Sequence, residues 1–155
     1  MADAIDDPKI LAQEGLRRVQ SGDWDRGLPL LGRAAESKNP GLELPGLVYS
    51  YLGFGIAHRE KRIRDGIQLC EHAIKLQFYE PQNHLNLAKV RLLANDRKKA
   101  VQSIAAGLKL DPRHAGLRAL REEIGVRRAP VLRFLARDNP LNVLLGRLRH
   151  GIRGE

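Results

Sequence analysis

Apolar positions recur at helical spacing along most of the chain. Leu11, Gly15, Leu16 and Val19 form one stripe, Tyr49, Leu52, Gly53 and Ile56 a second, and Leu85, Ala88 and Leu92 a third. Each is followed by another helical pattern: Gly27, Leu28, Leu31, Ala34 and Ala35, then Gly66, Ile67, Cys70 and Ala73, then Ala100, Val101, Ile104 and Gly107. Turn signals separate the paired patterns, Ser21 to Asp25 in the first pair and Ala94 to Asp96 in the third. Asp23 or Asp25 and Asp96 are placed to cap the following helix by accepting its unpaired N–H bonds. Glycines and alanines in phase on facing helices let their backbones approach closely. The pattern predicts three helix pairs at about 8–41, 46–80 and 81–114, and Leu117, Leu120 and Ile124 predict one more helix at about 115–126.

The pairs are copies of one another. Gly66 to Phe78 aligns with Ala100 to Pro112 at an offset of 34 residues, with Gln68/Gln102, Lys75/Lys109 and Leu76/Leu110 identical. An earlier copy starts at Gly27, offset by 39, its extra residues falling in the Pro- and Gly-containing stretch Lys38 to Gly46. Small residues at Gly15, Gly27 and Ala34, the Gly22, Asp23, Trp24 turn, Gly53, Gly66 and Ala73, then Ala88, Ala100, Gly107 and Pro112 give the pattern in which the chain resembles the tetratricopeptide repeat family. The resemblance covers about residues 8–114, with one extra residue expected between the helices of the second pair. It implies an all-α fold, a right-handed superhelix of antiparallel helix pairs. Two departures stand out: Pro29 lies early in a helix, where only the first turn tolerates it, and Phe78 replaces a proline, so the Gln77 to Pro81 junction is expected to be longer or kinked. The helix at 115–126 reads as the cap that such stacks need at an open end.

What the resemblance implies about function is recognition of a protein segment, extended or helical, along a concave face lined by the first helix of each pair. Carried over residue by residue, that face holds Ala12, Leu16 and Val19, then Ser50, Tyr51, Phe54 and His58, then Asn86, Lys89 and Leu93. The Lys/Asn/Arg clamp of chaperone-binding members is not reproduced, because Ala12 and Leu16 stand where Lys and Asn are needed. The Tyr51/Phe54 patch favours an apolar or helical ligand instead, although packing in the core accounts for these aromatics equally well.

Beyond Pro130 the pattern changes. Asn139 and Pro140 read as a helix start, and Leu141, Leu144, Leu145, Leu148 and Ile152 share one stripe over about 139–153, within a tail at 127–155. Gly146 and Gly151 weaken this helix, so it orders only against something: the repeats, a partner protein or second copy of the chain, or an anionic membrane surface.

Charge sharpens that picture. The 155 residues carry a net charge of +9, of which residues 127–155 supply seven arginines against Asp138 and Glu155. Such a field favours anionic partners without specifying one, so the second functional reading is a basic peripheral factor meeting anionic membrane or nucleic acid through this tail. Direct nucleic-acid binding is disfavoured, since aromatics are only 5% of the chain and single-stranded recognition relies on stacking. At 43% hydrophobic and 29% charged residues the balance is globular, and no apolar run approaches the roughly 20 residues of a membrane span. Asp3, Asp6 and Asp7 occupy the start, where a secretory leader would be basic and then apolar, so a cytoplasmic location is expected.

Catalytic chemistry finds no constellation. Cys70 is the lone cysteine and sits at a large-apolar helix position, His58, His72, His84, His114 and His150 are scattered, and Gly53 and Gly55 lack the third glycine of a dinucleotide loop. The expectation is a chain that is not an enzyme, with no cofactor, metal or small-molecule substrate. It would act as an adaptor within a larger assembly.

Overall fold

A computed structural model describes residues 7–37, 41 and 43–125. Seven helices fall in the first of the chain's two units, Met1–Ile124: α1 (Pro8–Gln20), α2 (Trp24–Ala35), α3 (Gly46–Arg59), α4 (Ile63–Leu76), α5 (Pro81–Leu93), α6 (Arg97–Leu110) and α7 (Ala115–Glu123). No strand occurs among the described residues. The tail stripe, Leu141, Leu144, Leu145, Leu148 and Ile152, lies outside them.

Local chemistry sets most helix starts. Asp7 accepts a bond from the Lys9 N–H and Pro8 opens α1, where its missing N–H costs nothing. Asp23 accepts from the Arg26 N–H, Glu80 from Gln82 and Asp96 from Lys99, while the ring of His114 caps α7 through the Leu117 N–H. Neither α3 nor α4 has a side-chain cap; the Arg62 guanidinium bridges Glu60 and Asp65 instead. Asp25 does not cap and forms an ion pair with Arg59 of α3.

The turns within all three pairs have three residues, and the middle one is left-handed each time: Gly22 (φ 90°), Lys61 (φ 61°) and Asn95 (φ 57°). The extra residue of the second pair therefore sits inside α3, which has 14 residues against 13 in α1 and α5, and not in the turn. The junction after Leu76 is likewise no longer than its counterpart. Gln77 to Glu80 joins α4 to α5 with the same four residues as Asp111 to His114 between α6 and α7. Phe78 takes the place of Pro112 without altering the path, because the carbonyls of Gln77 and Phe78 are held by Asn83 and His84. Pro29 is in the second turn of α2, on an exposed face, and the helix continues past it to Ala35.

The in-phase small residues mark the closest approaches. Between α3 and α4, a methyl group built on Gly53 would lie 2.7 Å from the Gly66 carbonyl oxygen, and one on Gly66 would lie 2.5 Å from that of Gly53. These are backbone contacts on both sides, and neither helix can yield locally. Gly107 leaves the space that Leu117 of α7 fills. Around these contacts lies the core: Leu28, Leu31, Val48 and Leu52 in the first two pairs, Ala57, Cys70, Leu87 and Val90 where the second meets the third, and Leu85, Ile104, Leu117 and Leu120 at the end. Covering Leu85 and Ile104 is the work of α7, which gives the third pair the neighbour that a fourth repeat would have supplied.

Candidate functional site

One register locates the open face of the first helices. Counting from the packing residues Gly15, Gly53 and Ala88, the positions two before, one after and five after are Gln13, Leu16 and Gln20 on α1, Tyr51, Phe54 and His58 on α3, and Asn86, Lys89 and Leu93 on α5. Apart from Asn86, all of these are at least partly exposed. Six of the expected groove residues besides Asn86 — Leu16, Tyr51, Phe54, His58, Lys89 and Leu93 — are on this stripe.

Four expected groove residues are corrected by burial. Val19 (3% exposed) stands one position off the stripe, rotated by about 100°, and packs beside Gly27 of α2. Ser50 (0%) is off by one in the same sense, as is Ala12. Asn86 (1%) is on the stripe but closed over: its Nδ2 donates to Ser50 Oγ at 2.9 Å, and its Oδ1 accepts from Gln82 Nε2 at 3.0 Å. The Cys70 thiol contacts the Ser50 carbonyl at 3.5 Å. These groups satisfy one another inside the junction of the second and third pairs, so a ligand meets none of them.

The aromatic side chains converge. Trp24, at the start of α2, packs edge-on to Phe54 at 5.4 Å and tilted to Tyr51 at 6.2 Å. Phe54 stacks on His58 at 5.6 Å, and the Lys89 ammonium lies over the Phe54 ring, 5.1 Å from its centre. Burial lowers the Lys89 pKa, opposed by the charge of Glu123. Burial raises that of Tyr51, with a bond to Gln20 opposing and Glu80 adding to the rise. The result is a continuous strip of ring faces and edges ending in a half-buried cation that has a ring beside it and, among the described residues, no carboxylate within ion-pair distance. Such a strip suits apolar side chains with a negative charge at one end.

Leu16 belongs to a different feature, a cleft of about 230 Å³ lined by Lys9, Ala12, Gln13, Leu16, Glu43, Leu44 and Pro45. Leu44 and Pro45 come from the connection before α3, with Leu44 nearly buried against the first pair. Trp24, Gln13, Gln20 and this connection are the parts that sequence reasoning missed. The register from the small residues would have found the two glutamines; Trp24 was readable only as part of a turn.

Burial pushes the Cys70 thiol up to about 12, with Glu71 adding to the rise and Arg91 opposing it, so it stays protonated. Among the described residues no three His, Cys, Asp or Glu side chains gather as a metal site, and no helix is long and apolar enough to cross a membrane.

No family model matches the sequence, and no curated protein matches it. Solved structures do. The Arabidopsis OM64 TPR domain superposes with a TM-score of 0.61 at 12% identity, over 76% of this chain and 93% of that one. The first TPR of Spaghetti (RPAP3), solved bound to the HSP90 peptide SRMEEVD, gives 0.61 at 14% identity, over 76% and 92%. MamA from MSR-1 gives 0.54 at 28% identity, over 74% of this chain and 63% of that chain. The first two likenesses speak to the fold alone, that of TPR domains. The chain has the tetratricopeptide-repeat fold, a superhelix of three antiparallel helix pairs closed by a seventh helix.

Proposed function

We propose that the chain is a non-enzymatic interaction module that binds a protein segment along the open stripe of α1, α3 and α5. The observation that carries this reading is the convergence of Trp24, Tyr51, Phe54 and His58 with Lys89, which leaves aromatic surface and one cation facing outward from three different helices. The contact residues are Leu16, Tyr51, Phe54, His58, Lys89 and Leu93, joined by Gln13 and Gln20. Shape does most of the work: each residue is fixed by its own helix pair, so little order is lost when a ligand docks. The HSP90 peptide of the Spaghetti complex supports a protein ligand in general. Here Ala12 and Leu16 offer no donors for a terminal carboxylate, and the favoured segment is apolar or helical, with one acidic side chain reaching Lys89.

A random-peptide selection against the full chain tests this. Enriched peptides should carry apolar anchors and an acidic residue, and should lose at least about tenfold in affinity against Lys89→Glu, about 1.4 kcal/mol. Tyr51→Ser should weaken them comparably. Selection of no peptides, or of peptides indifferent to both substitutions, would refute the proposal.

A further inference from the structure

The junctions after α4 and α6 lie on one edge of the stack, because both helices are second members of successive antiparallel pairs and run the same way. That edge is unlike the rest of the surface. Of the six large apolar side chains that are well exposed among the described residues, four are here: Leu76 (44%), Phe78 (67%), Tyr79 (61%) and Leu110 (40%). Leu76 and Leu110 are equivalent across the 34-residue offset, so the repeat itself places an exposed leucine at the end of each of these helices. Phe78 and Tyr79 pack edge to face at 5.5 Å on a turn whose carbonyls are pinned by Asn83 and His84. The same turn in the next copy is made with Pro112 and Arg113, so the backbone has no need of aromatics there.

The flanking charge is positive. Lys75, Lys109 and Arg113 are exposed and make no ion pair among the described residues, while Glu80 and Asp111, the carboxylates of the two junctions, are turned to the backbone N–H groups of Gln82 and Arg113. Exposed aromatic and aliphatic side chains on a held turn, ringed by cations, match the layered chemistry of a lipid interface, where rings and leucines reach the acyl boundary and cations meet headgroup phosphates. Nucleic acid fits less well: the leucines offer nothing to stack on, and the two rings already engage each other rather than presenting free parallel faces.

We propose that this edge, Leu76, Phe78, Tyr79 and Leu110 with Lys75, Lys109 and Arg113, seats the protein on an anionic membrane surface. The seat is separate from the α1, α3 and α5 stripe and leaves that stripe free for a ligand. Attachment rests on two contributions that can be separated: apolar burial, which salt does not screen, and headgroup attraction, which it does.

The test uses the full chain and vesicles of phosphatidylcholine with and without phosphatidylglycerol. The protein should sediment with the anionic vesicles only, and less so as salt is raised. The double variant Phe78→Ser/Tyr79→Ser should lose on the order of tenfold in partitioning, with an unchanged circular-dichroism melt. An environment-sensitive dye on Phe78→Cys, selective because Cys70 is fully buried, should shift to the blue on binding. Equal partitioning of the double variant, or sedimentation without a dye shift, would assign attachment to another part of the chain and overturn the proposal. So would failure to bind anionic vesicles, including the case in which the protein binds an oligonucleotide instead.

Discussion

Gly66→Ala adds one methyl group to an exposed-to-buried helix at the point where it can least be accommodated. Its Cβ would lie 2.5 Å from the Gly53 carbonyl oxygen and 2.7 Å from the Ala57 methyl. Ordinary contact requires about 3.5 Å, so α3 and α4 must separate by about 1 Å along a face that also holds Cys70, with Val90 of α5 close by at 3.4 Å. Overpacking of this kind costs about 1–3 kcal/mol, and more where the obstacle is backbone. Against it stands the helix preference of alanine over glycine, about 1 kcal/mol. The balance is a loss of about 1–2 kcal/mol, a change of roughly 5- to 30-fold in the folding equilibrium. In melting temperature that is a fall of about 4–8 °C.

Gly32→Ala is the matched control. It has the same chemistry within α2, but nothing lies within 4 Å of the added carbon. Only the propensity gain remains, so this variant should be more stable by about 0.5–1 kcal/mol. Urea titrations followed by circular dichroism would read both, the two variants moving to opposite sides of wild type. If Gly66→Ala unfolds at the wild-type midpoint or above it while Gly32→Ala gains as stated, the close-approach account of the repeat is wrong.

Two further outcomes follow from local geometry. Lys61 holds the left-handed turn position that Gly22 fills in the first pair; Lys61→Gly should therefore stabilise by about 0.5–1 kcal/mol, the relief of a side chain in that region exceeding the added freedom of the unfolded glycine. A lower urea midpoint than wild type would contradict this. Glu14 accepts bonds from Arg17 and Arg18, and its carboxyl is lowered to about 2, chiefly by the Arg17 bond, with burial opposing and Arg18 assisting. A depressed carboxyl pKa contributes stability that is present above the ordinary 4.5 and is lost as the pH falls through about 2. A carboxyl-carbon NMR titration should place the Glu14 midpoint well below the ordinary 4.5, and an ordinary midpoint would remove the argument.

The fold was legible because its determinants are local and repeated. Glycine or alanine at 15, 27, 53, 66, 88, 100 and 107 fixes where helices touch, and a 34-residue offset carries α4 onto α6 at both ends. The errors were of register and of length. An apolar stripe read at helical spacing does not say which of two adjacent positions faces a neighbouring helix, and Val19 and Ser50 fall on the wrong side of that division. The extra residue before Lys61 looked like a longer turn, yet the left-handed middle residue holds every turn at three, so the helix absorbs it. The packing of Leu44 against the first pair could not be read at all, since it depends on a connection that has no counterpart in the other pairs.

The candidate site shows why the same fold can differ in what it recognises. Each first helix has three open positions, and their occupants divide the labour between holding the stack and reading a ligand. On α3 these positions are aromatic or ring-bearing, Tyr51, Phe54 and His58, and Trp24 joins them from the turn of the preceding pair. On α5 the first position is given to the stack, as Asn86 turns to Ser50 and Gln82 and leaves only Lys89 and Leu93 outward. Arg91 does a related job on the other side of α5, bridging Glu71 of α4 and Ser103 of α6. The second and third pairs are thereby joined by polar groups with specific geometry as well as by the cluster at Cys70, Leu87 and Val90. Rigidity across that junction fixes the distance from Phe54 to Lys89, and under the proposed function that distance would select which apolar and acidic side chains of a ligand can be satisfied together.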